Sequence, residues 1–118
     1  VPVDVIRRTR ELGLASLPGA MTPTEIMTAH RAGASFVKLF PIADLGSKYV
    51  KAVRAPISHV KLLAVGGVNE NNLKEFFAAG CVGAGIGGNL VNKAWIDAGE
   101  YNKITETARM LVEIAKES

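Results

Sequence analysis

The stretch "SFVKLFP" at residues 35–41 carries one cation, Lys38, in the middle of an apolar run with the length of a strand. A primary amine turned into a dry interior is driven toward its neutral form, because burial disfavours the ammonium. Neutral, it attacks carbonyl carbon, so a buried lysine at this place points to Schiff-base chemistry. The other orientation leaves Lys38 facing outward between helices, its stem on apolar surface and its amine in water. Side-chain alternation bears on the choice. With Lys38 inward, Phe36 and Phe40 share its side while Val37 and Leu39 face a helical layer that must be apolar, which favours the inward placement.

Two diglycines, Gly66-Gly67 and Gly87-Gly88, close the next two apolar runs. A single such pair usually marks a turn. Two at successive strand ends, the first followed by Asn69 and the second by Asn89, also suit an anion cradle, since bare backbone lets N–H groups approach a phosphate closely. The remaining candidates have plainer roles. His30 falls near a helix C-terminus and His59 before a strand, Cys81 packs as a small hydrophobe, Phe76 and Phe77 belong to the core, and Trp95 and Ile96 lie in a loop.

These residues need elements to position them, and the chain repeats one unit. A helix from Asp4 ends at Gly13. "LASLPG" (14–19) reads as a strand, with Pro18-Gly19 at its C-terminal end. Thr22, Pro23 and Glu25 then open a helix as N-cap, first-turn proline and capping-box partner, and that helix closes at Gly33. Strand 35–41 precedes a helix up to Pro56. Strand 60–67 precedes a helix that Asn69 caps and Gly80 ends, and strand 81–88 precedes a helix from about Tyr101. Strands alternating with helices imply a parallel sheet, hence the α/β class. The short repeat suits a (β/α)₈ (TIM) barrel, of which about four βα units are present, so residues 1–118 read as one partial barrel domain, its C-terminal half. Either two half-barrels associate or the chain is the later portion of a longer barrel.

Composition narrows the functional classes. A chain 48% hydrophobic and 21% charged, with no apolar run near the length of a bilayer span, reads as globular and away from membranes. Its net charge of +3 is spread without a basic block, which favours small anions and argues against nucleic acid. One cysteine and no metal-ligand spacing leave no internal disulfide and no metal or other cofactor, and point to a reducing compartment, the cytoplasm. The opening "VPVDVIRRTR" lacks the charged-then-apolar order of a signal peptide.

Read in order, "PGAMTPTE", "FVKLFP", "VGGV" and "GIGGNL" resemble the 2-keto-3-deoxy-6-phosphogluconate aldolase family, which includes the 4-hydroxy-2-oxoglutarate aldolases. The likeness runs from about Asp4 to the C-terminus. It implies a (β/α)₈ barrel, a homotrimer, and a class I aldolase without metal acting on a small, phosphorylated 2-keto acid. It places the Schiff-base lysine at Lys38, a pocket-lining aromatic at Phe40, and a substrate-side proline at Pro18. Gly66, Gly67, Gly87 and Gly88 fall at the phosphate. Two positions depart from the family pattern at the substrate: Val65 where threonine is common, and Asn89 where serine is common. The family's acid/base glutamate and an arginine near it lie in the first half of the barrel, so no residue here takes that role. Two competing readings are a half-barrel that binds phosphosugars or phosphate without turnover, and another phosphosugar barrel such as a thiamine-phosphate synthase-like protein, which would not need the amine.

Overall fold

The computed structural model describes all residues 1–118. Ten elements follow one another: α1 (Val3–Glu11), β1 (Gly19–Ala20), α2 (Pro23–Arg31), β2 (Val37–Leu39), α3 (Gly46–Arg54), β3 (Leu62–Val65), α4 (Leu73–Ala78), β4 (Gly83–Gly85), α5 (Lys93–Asp97) and α6 (Tyr101–Lys116). The four strands form one parallel sheet in chain order, β1-β2-β3-β4, so each crossover returns to the neighbouring position. The alternating unit is therefore present four times, as the patterning implies.

One face of the sheet is dry. Val37, Leu39, Leu62 and Ala64 are buried there together with Ile26 and Ala29 of α2, Val50 and Val53 of α3, and Phe76 of α4. All the buried residues are apolar, and Lys38, Leu63 and Val65, at the alternate positions of β2 and β3, are half-buried on the opposite face.

Local signals set the helix starts. Thr22 and Glu25 close the expected capping box: Thr22 Oγ1 accepts from the Glu25 N–H at 3.3 Å, and Glu25 Oε1 accepts from the Thr22 and Met21 N–H groups at 3.0 and 3.2 Å. Asn69 heads a turn before α4, its Oδ1 accepting from the Asn71 and Asn72 N–H groups at 2.8 and 3.2 Å. The helix itself starts later than the cap suggests, at Leu73.

Three expectations are corrected. The first strand is shorter than 14–19, and Pro18-Gly19 lies at its start rather than at its C-terminal end. Proline has no N–H for the ladder and is tolerated at a strand's beginning, where its carbonyl accepts from the Lys38 N–H at 2.8 Å. Strand β3 stops at Val65 because Gly66 and Gly67 both take positive φ, 97° and 76°, outside the extended region. Finally, Trp95 and Ile96 lie in α5 instead of a loop, since Asn92 caps a turn there through Oδ1 on the Trp95 N–H at 3.2 Å.

Candidate active site

Lys38 sits at the centre of β2 on the face away from the helices, half-buried, paired in register with Gly19 on one side and Leu63 on the other. The row continues to Gly83, opposite Leu63. Small residues thus flank the two large ones, and each glycine is filled by a neighbour. A Cβ on Gly19 would come 3.3 Å from Lys38 Cε, and one on Gly83 would come 2.9 Å from Leu63 Cδ2. Gly19 therefore makes room for the lysine arm. Lys38 Nζ lies 5.5 Å from the centre of the Phe40 ring, toward the C-terminal end of the strand, within cation–π range.

The next row toward that end holds Phe40, Val65 and Gly85. Phe40 is 51% exposed and so available to a ligand, and Val65 lies over Gly85, whose Cβ would meet Val65 Cγ2 at 3.1 Å. Because β3 and β4 are parallel neighbours, Gly66-Gly67 and Gly87-Gly88 emerge at the same end of the sheet, the end toward which the Lys38 amine reaches.

The two diglycines exist for different reasons. A side chain at Gly66 would strike Pro41 Cα at 2.9 Å and Phe40 Cδ1 at 3.0 Å, and one at Gly67 would strike Ala43 Cβ at 2.5 Å. Close approach and positive φ both demand glycine there. At Gly87 and Gly88 a Cβ would meet nothing within 4 Å, and φ is not positive. Neither packing nor backbone conformation calls for glycine at that corner. The N–H groups of Gly67, Val68, Gly87, Gly88 and Asn89 have no acceptor within the chain, while the Gly87 carbonyl takes the N–H groups of Leu90 and Val91 at 2.9 Å each. Asn89 turns its amide to the other corner, with Nδ2 donating to the Val68 carbonyl at 2.9 Å.

A cleft of about 210 Å³ lies behind the first corner, between Pro41, Ala43, Asp44, Gly66 and Gly67. Asp44 brings a carboxylate to its lining, which opposes an anion in the cleft. Glu25, beside the end of β1, is committed to its cap. Its carboxyl is held below the usual range by hydrogen bonds from the Thr22 backbone and hydroxyl and from the Met21 N–H. Tyr49 of α3 fixes the same turn from the other side, its hydroxyl donating to the Met21 carbonyl at 2.5 Å.

The other titratable candidates lie away from this end. His30 and His59 meet edge to face, ring centres 5.1 Å apart, where α2 ends and before β3 begins. Cys81 is buried, and burial raises its thiol to about 11 against a smaller opposing effect of Arg54. Sequence reasoning missed Gly19 as the lysine's neighbour and Asn72 as a second amide at the first corner, where its Nδ2 donates to the Gly67 carbonyl at 2.9 Å. Strand alternation puts Gly19 and Lys38 on one face only once their register is known.

Comparison by sequence returns aldolases, and comparison by fold returns aldolases together with thiamine phosphate pyrophosphorylases, the latter at 20% identity or less and so alike in fold alone. The family model described as KDPG and KHG aldolase matches residues 1–107. The chain is 44% identical over 88 residues to the 2-dehydro-3-deoxy-6-phosphogalactonate aldolase of Escherichia coli (strain K12), covering 74% of this chain and 43% of that protein. It is 33% identical over 114 residues to the KHG/KDPG aldolase of the same strain, covering 95% and 53%. The solved structure described as "Native KDPGal structure" superposes with a TM-score of 0.89 at 36% identity, over 99% of this chain and 55% of that one. The chain spans about half the length of the curated relatives it matches.

Proposed function

The chain belongs to the KDPG and KHG aldolase family, and on that premise we propose that it is the lysine-bearing part of a class I aldolase that cleaves a phosphorylated 2-keto acid. The observation that carries the reading is Lys38 on the face opposite the helices, its arm over Gly19 and its amine 5.5 Å from the Phe40 ring, in a sheet whose two glycine corners emerge at the C-terminal end of its strands.

In this reading the Lys38 amine adds to the C2 ketone, and uptake of a proton with loss of water gives an iminium. Breaking C3–C4 sends its electron pair toward that iminium, leaving an enamine and releasing an aldehyde as the C4 hydroxyl gives up its proton. Protonation at C3 and hydrolysis return pyruvate and the free amine. The substrate is 2-keto-3-deoxy-6-phosphogluconate, giving glyceraldehyde 3-phosphate as the aldehyde. 4-Hydroxy-2-oxoglutarate, which gives glyoxylate, is an unphosphorylated second substrate. Phe40 and Val65 line the reacting end, with Pro18 beside the lysine through its carbonyl. The free N–H groups of Gly67, Val68, Gly87, Gly88 and Asn89 meet the phosphate, and Gly66 shapes the first corner. No metal or other cofactor enters the scheme. The base for the C4 hydroxyl comes from outside these residues, as the family resemblance implies.

The C-terminal half of a (β/α)₈ barrel is the architecture this reading requires, as a single partial domain. Strands β1 and β4 each keep an unpaired edge, and beside β4 an apolar groove of about 450 Å³ runs between Phe77, Val82, Ile86, Leu111 and Val112. Further strands and helices closing a barrel would cover both. Homotrimeric assembly and a cytoplasmic location complete the proposal, from the resemblance and from the lone thiol. No helix is long and apolar enough to cross a membrane.

A half-barrel that binds phosphate without turnover draws on the same free N–H groups at the two corners and needs no base. Borohydride reduction in the presence of pyruvate separates the two. The aldolase reading expects a covalent adduct on the tryptic peptide containing Lys38, lost in Lys38→Ala; an unmodified Lys38 rejects it.

A further inference from the structure

Resting on the reading of the two glycine corners as a phosphate cradle, we infer that Asn72 and Asn89 are positioning residues: Asn72 sets the direction of the Val68 N–H at the first corner, and Asn89 fixes that corner against the second. In a trans peptide the carbonyl of one residue and the N–H of the next share a plane and point opposite ways. Holding a carbonyl therefore aims the following N–H.

Three consecutive planes are held in this manner. The Gly66 carbonyl accepts from the Ala43 N–H at 3.1 Å, which aims the Gly67 N–H. The Gly67 carbonyl accepts from Asn72 Nδ2 at 2.9 Å, which aims the Val68 N–H. The Val68 carbonyl accepts from Asn89 Nδ2 at 2.9 Å, and the Asn69 N–H on that plane is taken by Asn72 Oδ1 at 2.8 Å. The pattern leaves the Gly67 and Val68 N–H groups without acceptors, next to a corner whose Gly87, Gly88 and Asn89 N–H groups are also free. A flipped peptide at 67–68 would replace a donor by a carbonyl oxygen, which repels an anion.

Asn89 does more than Asn72, because its bond spans 21 residues and ties the β4 corner to the β3 corner. The phosphate then meets two sets of donors with a fixed separation, and the ordering takes place on folding instead of on binding. Asn89 acts through the peptide at Val68 with its side chain, and its own part in the cradle is its main-chain N–H.

Titration of the ¹⁵N-labelled chain with inorganic phosphate tests this, alongside Asn89→Ala and, as a surface control, Asn102→Ala. Saturable shifts of the Gly67 and Val68 amides together with those of Gly87 and Gly88 are expected, with phosphate binding about fivefold weaker in Asn89→Ala, the size of one lost hydrogen bond, and unchanged in Asn102→Ala. Phosphate binding at residues 87–89 with the Gly67 and Val68 amides unmoved, or with Asn89→Ala binding like the parent, overturns the positioning role and leaves the Gly87-Gly88 corner in place. No saturable shift anywhere removes the cradle and the inference with it. Should Asn89→Ala not fold, the amide shifts of the parent chain decide alone.

Discussion

Replacing Gly66 and Gly88 by alanine, one at a time, separates two glycines that look alike in sequence. At Gly66 the backbone has φ 97°, where an L side chain costs about 1–2 kcal/mol. The new Cβ would also lie 2.9 Å from Pro41 Cα and 3.1 Å from Pro41 Cβ, atoms of a ring and backbone that have little freedom to retreat. Overpacking of that kind adds about 1–3 kcal/mol. The sum, about 2–5 kcal/mol, is a large part of the 5–15 kcal/mol that holds a typical domain together. At Gly88 the φ is ordinary and the Cβ meets nothing within 4 Å, so alanine restricts the unfolded chain and raises stability by about 0.4–1 kcal/mol. Urea unfolding followed by Trp95 fluorescence checks the difference. With a slope of about 2 kcal/mol/M, Gly66→Ala lowers the midpoint by about 1–2.5 M while Gly88→Ala leaves it level or slightly higher. Equal midpoints for the two variants would refute the claim that Gly66 serves packing and Gly88 does not.

Three further outcomes follow from single contacts. Gly19→Ala sets a Cβ 3.3 Å from Lys38 Cε, a flexible neighbour, so the fold tolerates it while the displaced amine forms the pyruvate adduct several-fold more slowly; an unchanged trapping rate would show that Gly19 does not seat the lysine. Glu25 has its carboxyl lowered from 4.5 by the hydrogen bonds of its cap, so its contribution is complete above about pH 4.5 and is lost as pH falls through the lower folded value. Glu25→Gln therefore flattens the acid side of the stability profile in that window, measured by thermal melts from pH 6 downward, and a profile with the parent's slope would contradict it. Cys81, buried and raised to about 11, stays unmodified by Ellman's reagent at pH 8 until urea unfolds the chain, and prompt labelling of the folded protein would disprove its burial.

Much of the site's logic is local and therefore readable. The alternation Phe36, Val37, Lys38, Leu39, Phe40 separates the two faces of β2 without knowledge of its partners, because successive side chains of a strand point to opposite sides. The Thr22–Glu25 box closes within four residues, and the strand–helix repeat carries the parallel order of the sheet with it. Even α5 left a local trace, in the asparagine three residues before Trp95.

What the chain could not announce is register and close approach. Whether Gly19 or a neighbour faces Lys38 depends on how β1 slides against β2, and a slip of one residue would reverse every face. The identical pairs Gly66-Gly67 and Gly87-Gly88 acquire different meanings only when Pro41 and Ala43 arrive beside the first and nothing arrives beside the second. The amide of Asn89 finds the Val68 carbonyl across two strands, and that of Asn72 the Gly67 carbonyl from the head of α4. Sequence by itself determined the four strand–helix units, their order and which residues share the amine's side of β2, since each follows from interactions among near neighbours. Tertiary structure alone decided which backbone donors stay free, because a hydrogen-bonding group is left unpaired only by the positions of segments far away along the chain.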